Sequence, residues 1–113
     1  MYFSKKHYIS LFICIYMLCT NLIYALEEYH INIQDHIFVP DVITVPADTK
    51  IKLFIHNLDP TPEEFESFDL HREKIVSGNK TIKISFGPLK SGNIYSFFGE
   101  FHPDTAQGKI IVK

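Results

Sequence analysis

The chain has 113 residues, 13 acidic and 11 basic side chains, and 46% apolar residues. That is one domain's length, too apolar for disorder, and its net charge of −2 leaves no basic footprint for nucleic acid. Both cysteines (Cys14, Cys19) and both methionines (Met1, Met17) fall in the first twenty residues, so the remainder has no disulfide framework, thiol nucleophile, cysteine zinc site or cysteine-ligated copper site.

Residues 1–25 read as a secretory signal peptide. Lys5 and Lys6 give a positive start, Tyr8–Leu18 is a mostly apolar stretch of 11 residues, and Ala25 offers a small residue for cleavage. The alternative is an uncleaved membrane anchor, which needs about 20 apolar residues. Cys19 follows Tyr16-Met-Leu18 rather than small residues, which argues against lipid attachment. Cleavage after Ala25 leaves residues 26–113 with all 13 acids and nine bases (11 less Lys5 and Lys6), a net −4. The expected localisation is the periplasm.

Strand signals follow one another along residues 26–113. Tyr29, Ile31 and Ile33 alternate with His30, Asn32 and Gln34. Val42–Val45 is a short candidate, and Ile51, Leu53 and Ile55 then alternate with Lys52, Phe54 and His56. Next come Phe65–Leu70; Ile82, Ile84 and Phe86; Tyr95–Phe98; and Lys109–Val112. Alternation with period two places successive side chains on opposite faces of a half-buried strand. Turn chemistry separates these runs: Pro40-Asp41, Pro46-Ala-Asp48, Asp59-Pro-Thr-Pro62, Ser77-Gly-Asn79, Gly87-Pro88, Ser91-Gly-Asn93 and His102-Pro-Asp104. No long run has helical periodicity. The pattern predicts an all-β fold of about seven strands, a Greek-key β-sandwich. Asn79-Lys-Thr81 matches a glycosylation acceptor, a motif too short to carry weight.

Two segments are richer in ligand-type side chains than a plain sandwich needs. In the first, Glu64 and Glu66 flank Phe65 and share a face, with Glu63 on the side of Phe65. Such carboxylates either ligate a metal or keep a strand edge solvated. In the second, Glu100 and His102 are again two apart, beside an expected aromatic wall of Phe97, Phe98 and Phe101. A histidine in a Gly/Pro loop at the end of a sandwich is well placed as a ligand, or it only hydrogen-bonds the loop backbone. His30, His36, His56 and His71 read as polar-face residues, and Arg72-Glu-Lys74 as a surface ion-pair set supporting the site. No catalytic triad spacing, phosphate-cradling glycine loop or His-Glu-x-x-His helix occurs.

These segments together resemble a family. Phe38-Val-Pro40, Ile43-Thr-Val-Pro46 and Lys52-Leu-Phe-Ile-His-Asn57 look like the entry of a cupredoxin. Pro62-Glu-Glu-Phe-Glu-Ser67, Leu70-His-Arg-Glu-Lys74, Gly87-Pro-Leu-Lys90, Phe97-Phe-Gly-Glu-Phe-His102 and Thr105-Ala-Gln-Gly108 are more specific. They resemble the stand-alone periplasmic cupredoxin-like domain of bacterial iron-uptake systems, related to the N-terminal cupredoxin domain of EfeO-type proteins. The resemblance implies a metal site at one end of the sandwich. Blue-copper cupredoxins use an early His, then Cys, His and Met. Here His102 matches the later His, Phe97 falls near the Cys, Ala106 near the Met, and Glu63 or Glu64 where the early His would be.

The expected ligands are therefore Glu64, Glu66 and His102, then Glu100 and Glu63, with Phe97, Phe98, Phe101 and Glu73 as supporting residues. Carboxylate and imidazole suit Fe(III) or a non-blue Cu(II) better than Cu(I). The expected function is ferrous iron uptake, by binding iron or by a ferroxidase-type oxidation, with an inner-membrane iron permease and other periplasmic iron-uptake proteins as partners. The rivals are a metal-free envelope interaction module and a non-redox Cu(II) or Zn(II) carrier.

Overall fold

The computed structural model describes residues 26–113, so the expected leader lies outside the described residues. They form nine strands: β1 (Leu26–Gln34), β2 (Ile37–Val39), β3 (Val42–Val45), β4 (Lys50–Asn57), β5 (Glu63–Ser67), β6 (Arg72–Val76), β7 (Thr81–Phe86), β8 (Ile94–Phe98) and β9 (Gln107–Val112). A four-stranded sheet in the order β2-β1-β4-β7 packs on a five-stranded sheet in the order β3-β9-β8-β5-β6. Two pairings are parallel, β1 with β4 and β3 with β9; the others are antiparallel. The expected all-β sandwich holds.

Nine strands replace the expected seven because two short ones carry no alternation of their own. β2 has three residues, and β6 is exposed at four of its five positions. Edge strands like these are specified by the neighbour they pair with. β6 also shields the sandwich's open side: Arg72 Nε donates to the Ser85 carbonyl at 3.1 Å and Lys74 Nζ to the Lys83 carbonyl at 3.4 Å, both on β7. Phe65–Leu70, expected as one strand, is shorter: β5 ends at Ser67, and a turn runs through His71, whose φ is 55°.

The alternating apolar residues of β1 and β4 form the core, with Ile31, Ile51, Leu53 and Ile55 fully buried. Three phenylalanines close its centre. Phe97 meets Phe38 edge-on and stacks on Phe65, each at 5.0 Å between centroids. Such pairs add about 0.5–1.5 kcal/mol each beyond buried area. Two glycines allow the close packing around them. A Cβ on Gly108 would lie 2.2 Å from the Phe97 ring and 2.6 Å from the Asp41 carbonyl oxygen. One on Gly99 would lie 2.9 Å from the Glu64 carbonyl oxygen, so the β8–β9 loop packs directly on the β5 backbone. The β1–β2 turn, the β4–β5 loop and the β8–β9 loop thereby meet at one end of the sandwich.

Candidate metal centre

The two faces of β5 divide the acidic segment. Glu63 pairs with the fully buried Val76 and points inward with Phe65 and Ser67; Glu63 itself is 1% exposed. Glu64 and Glu66 point to the outer face of the five-stranded sheet, where Glu66 is opposite Glu73 on one side and Phe98 on the other. Consecutive residues on a strand cannot reach one point, so Glu63 and Glu64 belong to different clusters.

On the inner side, Glu63 is shared between two imidazoles. Its Oε1 lies 2.5 Å from His36 Nδ1, and its Oε2 lies 3.1 Å from His102 Nδ1. The two rings stack with centroids 3.5 Å apart. His36 comes from the two-residue β1–β2 turn, where Asp35 and His36 have φ of 53° and 60°. This left-handed region is disfavoured for L-residues, but Asp and His enter it more readily than most. The carboxylate of Asp59 stabilises the turn, accepting the backbone N–H of Asp35 at 2.8 Å and of His36 at 3.0 Å. Asp59 is buried and is anchored by Asn57, whose Oδ1 accepts its N–H at 2.9 Å. Burial alone would raise the Asp59 pKa, but the N–H groups of His36 and Asp35 and the nearby imidazole hold it below the usual range. The hydrogen bond to Glu63 raises the His36 pKa above its ordinary value, against a smaller opposing effect of burial.

On the outer face, Glu64, Glu66, Glu73 and Glu100 each offer a carboxylate oxygen, all within 4.8 Å of one another. Glu64 is 3% exposed and accepts the Glu100 N–H at 3.3 Å. Glu66 Oε2 is buried with no hydrogen-bond partner among the described residues. Burial, a hydrogen bond with Glu64, and the charges of Glu73, Glu64 and Glu100 push the Glu66 pKa up to about 7. A buried oxygen without a donor among converging like charges is costly, and a cation relieves both penalties.

The residues expected from the sequence fall into both clusters. Glu64, Glu66 and Glu100 converge on the outer face, and Glu73, expected as a supporting residue, belongs to the same set. His102 and Glu63 meet on the inner side instead. The aromatic wall does not form. Phe97 is in the core, Phe98 is half-buried on the opposite face against Phe68, and Phe101 is 44% exposed. Residues 97 and 98 are strand neighbours, so their rings point apart.

His36, expected on a polar face, lies against Glu63 and His102. The overlooked signal was Asp35-His36 directly after the alternating run of β1, since Asp and His are among the non-glycine residues that enter left-handed turn positions most readily. His30 and His56 form a separate hydrogen-bonded pair at 2.8 Å on the outer face of the four-stranded sheet, while His71 belongs to neither ligand cluster.

The sequence model of the cupredoxin-like domain matches residues 7–112. Among curated proteins, the chain is 60% identical over 85 residues to the uncharacterized protein RP394 of Rickettsia prowazekii (strain Madrid E), covering 75% of this chain and 67% of that one. Among solved structures, the metal-binding domain of the Cu(I)-exporting P-type ATPase CopA of Streptococcus pneumoniae D39, solved with Cu(I), superposes with a TM-score of 0.69 at 15% identity, covering 81% of this chain and 90% of that one. Auracyanin A, a blue copper protein of Chloroflexus aurantiacus, gives 0.67 at 14%, covering 79% and 100%. Amicyanin of Paracoccus versutus gives 0.61 at 19%, covering 77% and 82%.

Proposed function

The chain belongs to the cupredoxin-like domain family, and from that premise we propose that it is an exported, periplasmic protein that binds iron and assists ferrous iron uptake. The observation that carries this reading is the outer cluster: four carboxylates converge within 4.8 Å, and one buried oxygen among them has no donor among the described residues. Four oxygen donors suit a hard ion and stabilise Fe(III) over Fe(II). Iron is the cargo here, held by Glu64, Glu66, Glu73 and Glu100 and passed on to a membrane permease. Stabilising Fe(III) also favours oxidation of Fe(II) when an acceptor such as O2 or Cu(II) is present.

The solved relatives include copper proteins, and copper enters this reading only in a non-blue form. A blue site needs a thiolate, and residues 26–113 contain neither Cys nor Met. The buried positions near the expected sulfur ligands are Phe97 and Ala106, each 1% exposed, which donate nothing to a metal.

Titrating the full chain with Fe(III) tests the reading. The wild type is expected to bind one ion, and Glu64→Gln and Glu66→Gln to weaken binding by about 10-fold or more through loss of a ligand. Equal binding by the two variants and the wild type would overturn the assignment. Fe(II) consumption under air, with and without added Cu(II), separates oxidation from carriage.

A further inference from the structure

We propose that His30 and His56 form a two-imidazole site for a borderline divalent ion, Zn(II) foremost, on the outer face of the four-stranded sheet. It lies on the other sheet from the carboxylate cluster, shares no residue with it and does not rest on the iron reading.

The strand register builds the pair. Ile31 and Ile33 of β1 and Leu53 and Ile55 of β4 are buried, so His30, Phe54 and His56 project to the opposite face. β1 and β4 run parallel, with His30 beside Phe54 and Asn32 beside His56, which sets the two imidazoles diagonally across neighbouring strands. Their facing nitrogens, His30 Nδ1 and His56 Nε2, are 2.8 Å apart. On the other side of β4, Thr81 of β7 pairs with His56, and its Oγ1 is 2.8 Å from His56 Nδ1. Phe54 stacks on His30 with centroids 4.9 Å apart and planes 11° apart, which keeps the His30 ring turned toward His56.

In their neutral form, two imidazoles at this distance hold one hydrogen between the facing nitrogens. When an ion enters, that hydrogen moves through solvent to the other nitrogen of the same ring. Both facing nitrogens then become ligands with no net proton release. On His56 the other nitrogen is Nδ1, whose N–H the Thr81 hydroxyl oxygen accepts. Ligand histidines are characteristically oriented by such an acceptor on the remaining N–H. Thr81 is thus a positioning residue.

Two nitrogens bound to one Zn(II) at about 2.0–2.1 Å stand about 3.3 Å apart in a tetrahedron, so the gap opens by about 0.5 Å. His30 is exposed and His56 half-buried, which leaves the rings that freedom. An open groove of about 430 Å³ borders His56, lined by Asn32, Leu58, Asn79 and Thr81, and admits the waters that complete four-coordination.

Donor type selects the ion. The nearest acidic side chain on the same face of β1, Glu28, lies against Lys52 at 3.9 Å, and among the described residues no carboxylate joins the pair in a three-ligand cluster. Imidazoles without carboxylates suit Zn(II), Ni(II) and Cu(II) and are poor ligands for Fe(III), Ca(II) and Mg(II).

The experiment is Zn(II) titration of the full chain, followed through the imidazole 15N signals of each histidine, with zinc chosen because it is diamagnetic. The expected result is that the His30 and His56 signals move together and saturate with one ion, His30 ending with hydrogen on Nε2 and His56 with hydrogen on Nδ1. His30→Gln and His56→Gln should each weaken zinc binding at the remaining ring by about 10-fold or more. Thr81→Val should weaken it by about 10-fold and Thr81→Ser restore it, an outcome that a merely structural role for the residue does not produce. Glu66→Gln should leave the His30 and His56 response unchanged, so failure of the iron reading and failure of this site are read on separate variants. Zinc that moves the His36 and His102 signals while His30 and His56 stay still would overturn the proposal. So would a His56 response that survives His30→Gln at full affinity, which would reduce the site to a single exposed ring.

Discussion

A carboxyl group whose pKa rises on folding weakens the fold as pH climbs. Glu66 goes from 4.5 to about 7, driven first by burial and then by its carboxylate neighbours. The folded state therefore holds the proton more tightly, and stability falls as pH rises from about 4.5 through about 7. His36, also shifted upward, adds a decline in the same direction at higher pH. Urea unfolding of the metal-free chain across pH 4.5–8 is expected to show this decline. Glu66→Gln should remove the part of the decline that Glu66 contributes between about 4.5 and 7, while the His36 part, which begins at its ordinary value of 6.5 and continues upward, persists. A metal-free wild type that becomes more stable from pH 5 to 7 would contradict the assignment. Asp59 works oppositely and at a lower pH: its contribution is present above the ordinary aspartate range and is lost as pH falls through its depressed value.

At the scale of elements, the site depends on how closely β9 and the loop before it pack on their neighbours. Gly108 faces the Phe97 ring, where a methyl group would sit at 2.2 Å. Gly108→Ala is expected to destabilise by about 1–3 kcal/mol through overpacking. Phe97→Leu costs stability of its own by thinning the three-phenylalanine cluster, but it removes the ring that the new methyl would strike. The double variant should then be less destabilised than the sum of the two single changes, by about 0.5 kcal/mol or more. Denaturation midpoints at constant m-value measure this directly, and strict additivity would mean the Asp41 carbonyl, at 2.6 Å, is the decisive contact. The same view explains β5. Its five residues serve three purposes: Phe65 and Ser67 face the interior, Glu63 faces the sandwich end, and Glu64 and Glu66 face outward.

For the whole molecule, metal binding is coupled to folding. An ion that binds only the folded state at a hundredfold excess over its Kd stabilises by about 2.7 kcal/mol. For a domain of this size that is a rise in Tm of roughly 10–20 °C. Calorimetry of the full chain with Fe(III), then after chelator, is expected to show the rise and its reversal. A Tm unaffected by metal and chelator alike would favour the metal-free interaction module.

Some of this was legible in the residue order. Alternation in β1, β4 and β7 gave the buried faces directly, because period two is a local property of the chain. The confinement of sulfur to the first twenty residues excluded a blue-copper centre in residues 26–113, because composition needs no geometry. Glu64, Glu66 and Glu100 were recognisable as potential ligands by type and spacing. Their separation from Glu63 followed from the alternation of β5, but that His102 joins Glu63 while Glu100 joins the outer set did not, since it depends on which face of β5 meets which part of the β8–β9 loop. The places of β6 and Glu73 came from pairing with β5, not from any pattern in Arg72–Val76. His36 was the least legible of all. Its imidazole reaches Glu63 because Asp59, distant in sequence, accepts the N–H groups of a left-handed turn. Local periodicity determined the alternating strands, and composition determined the kinds of ligand available. Only long-range packing decided which residues join each side of β5, with His36 and His102 against Glu63 and with Glu73 and Glu100 against Glu64 and Glu66.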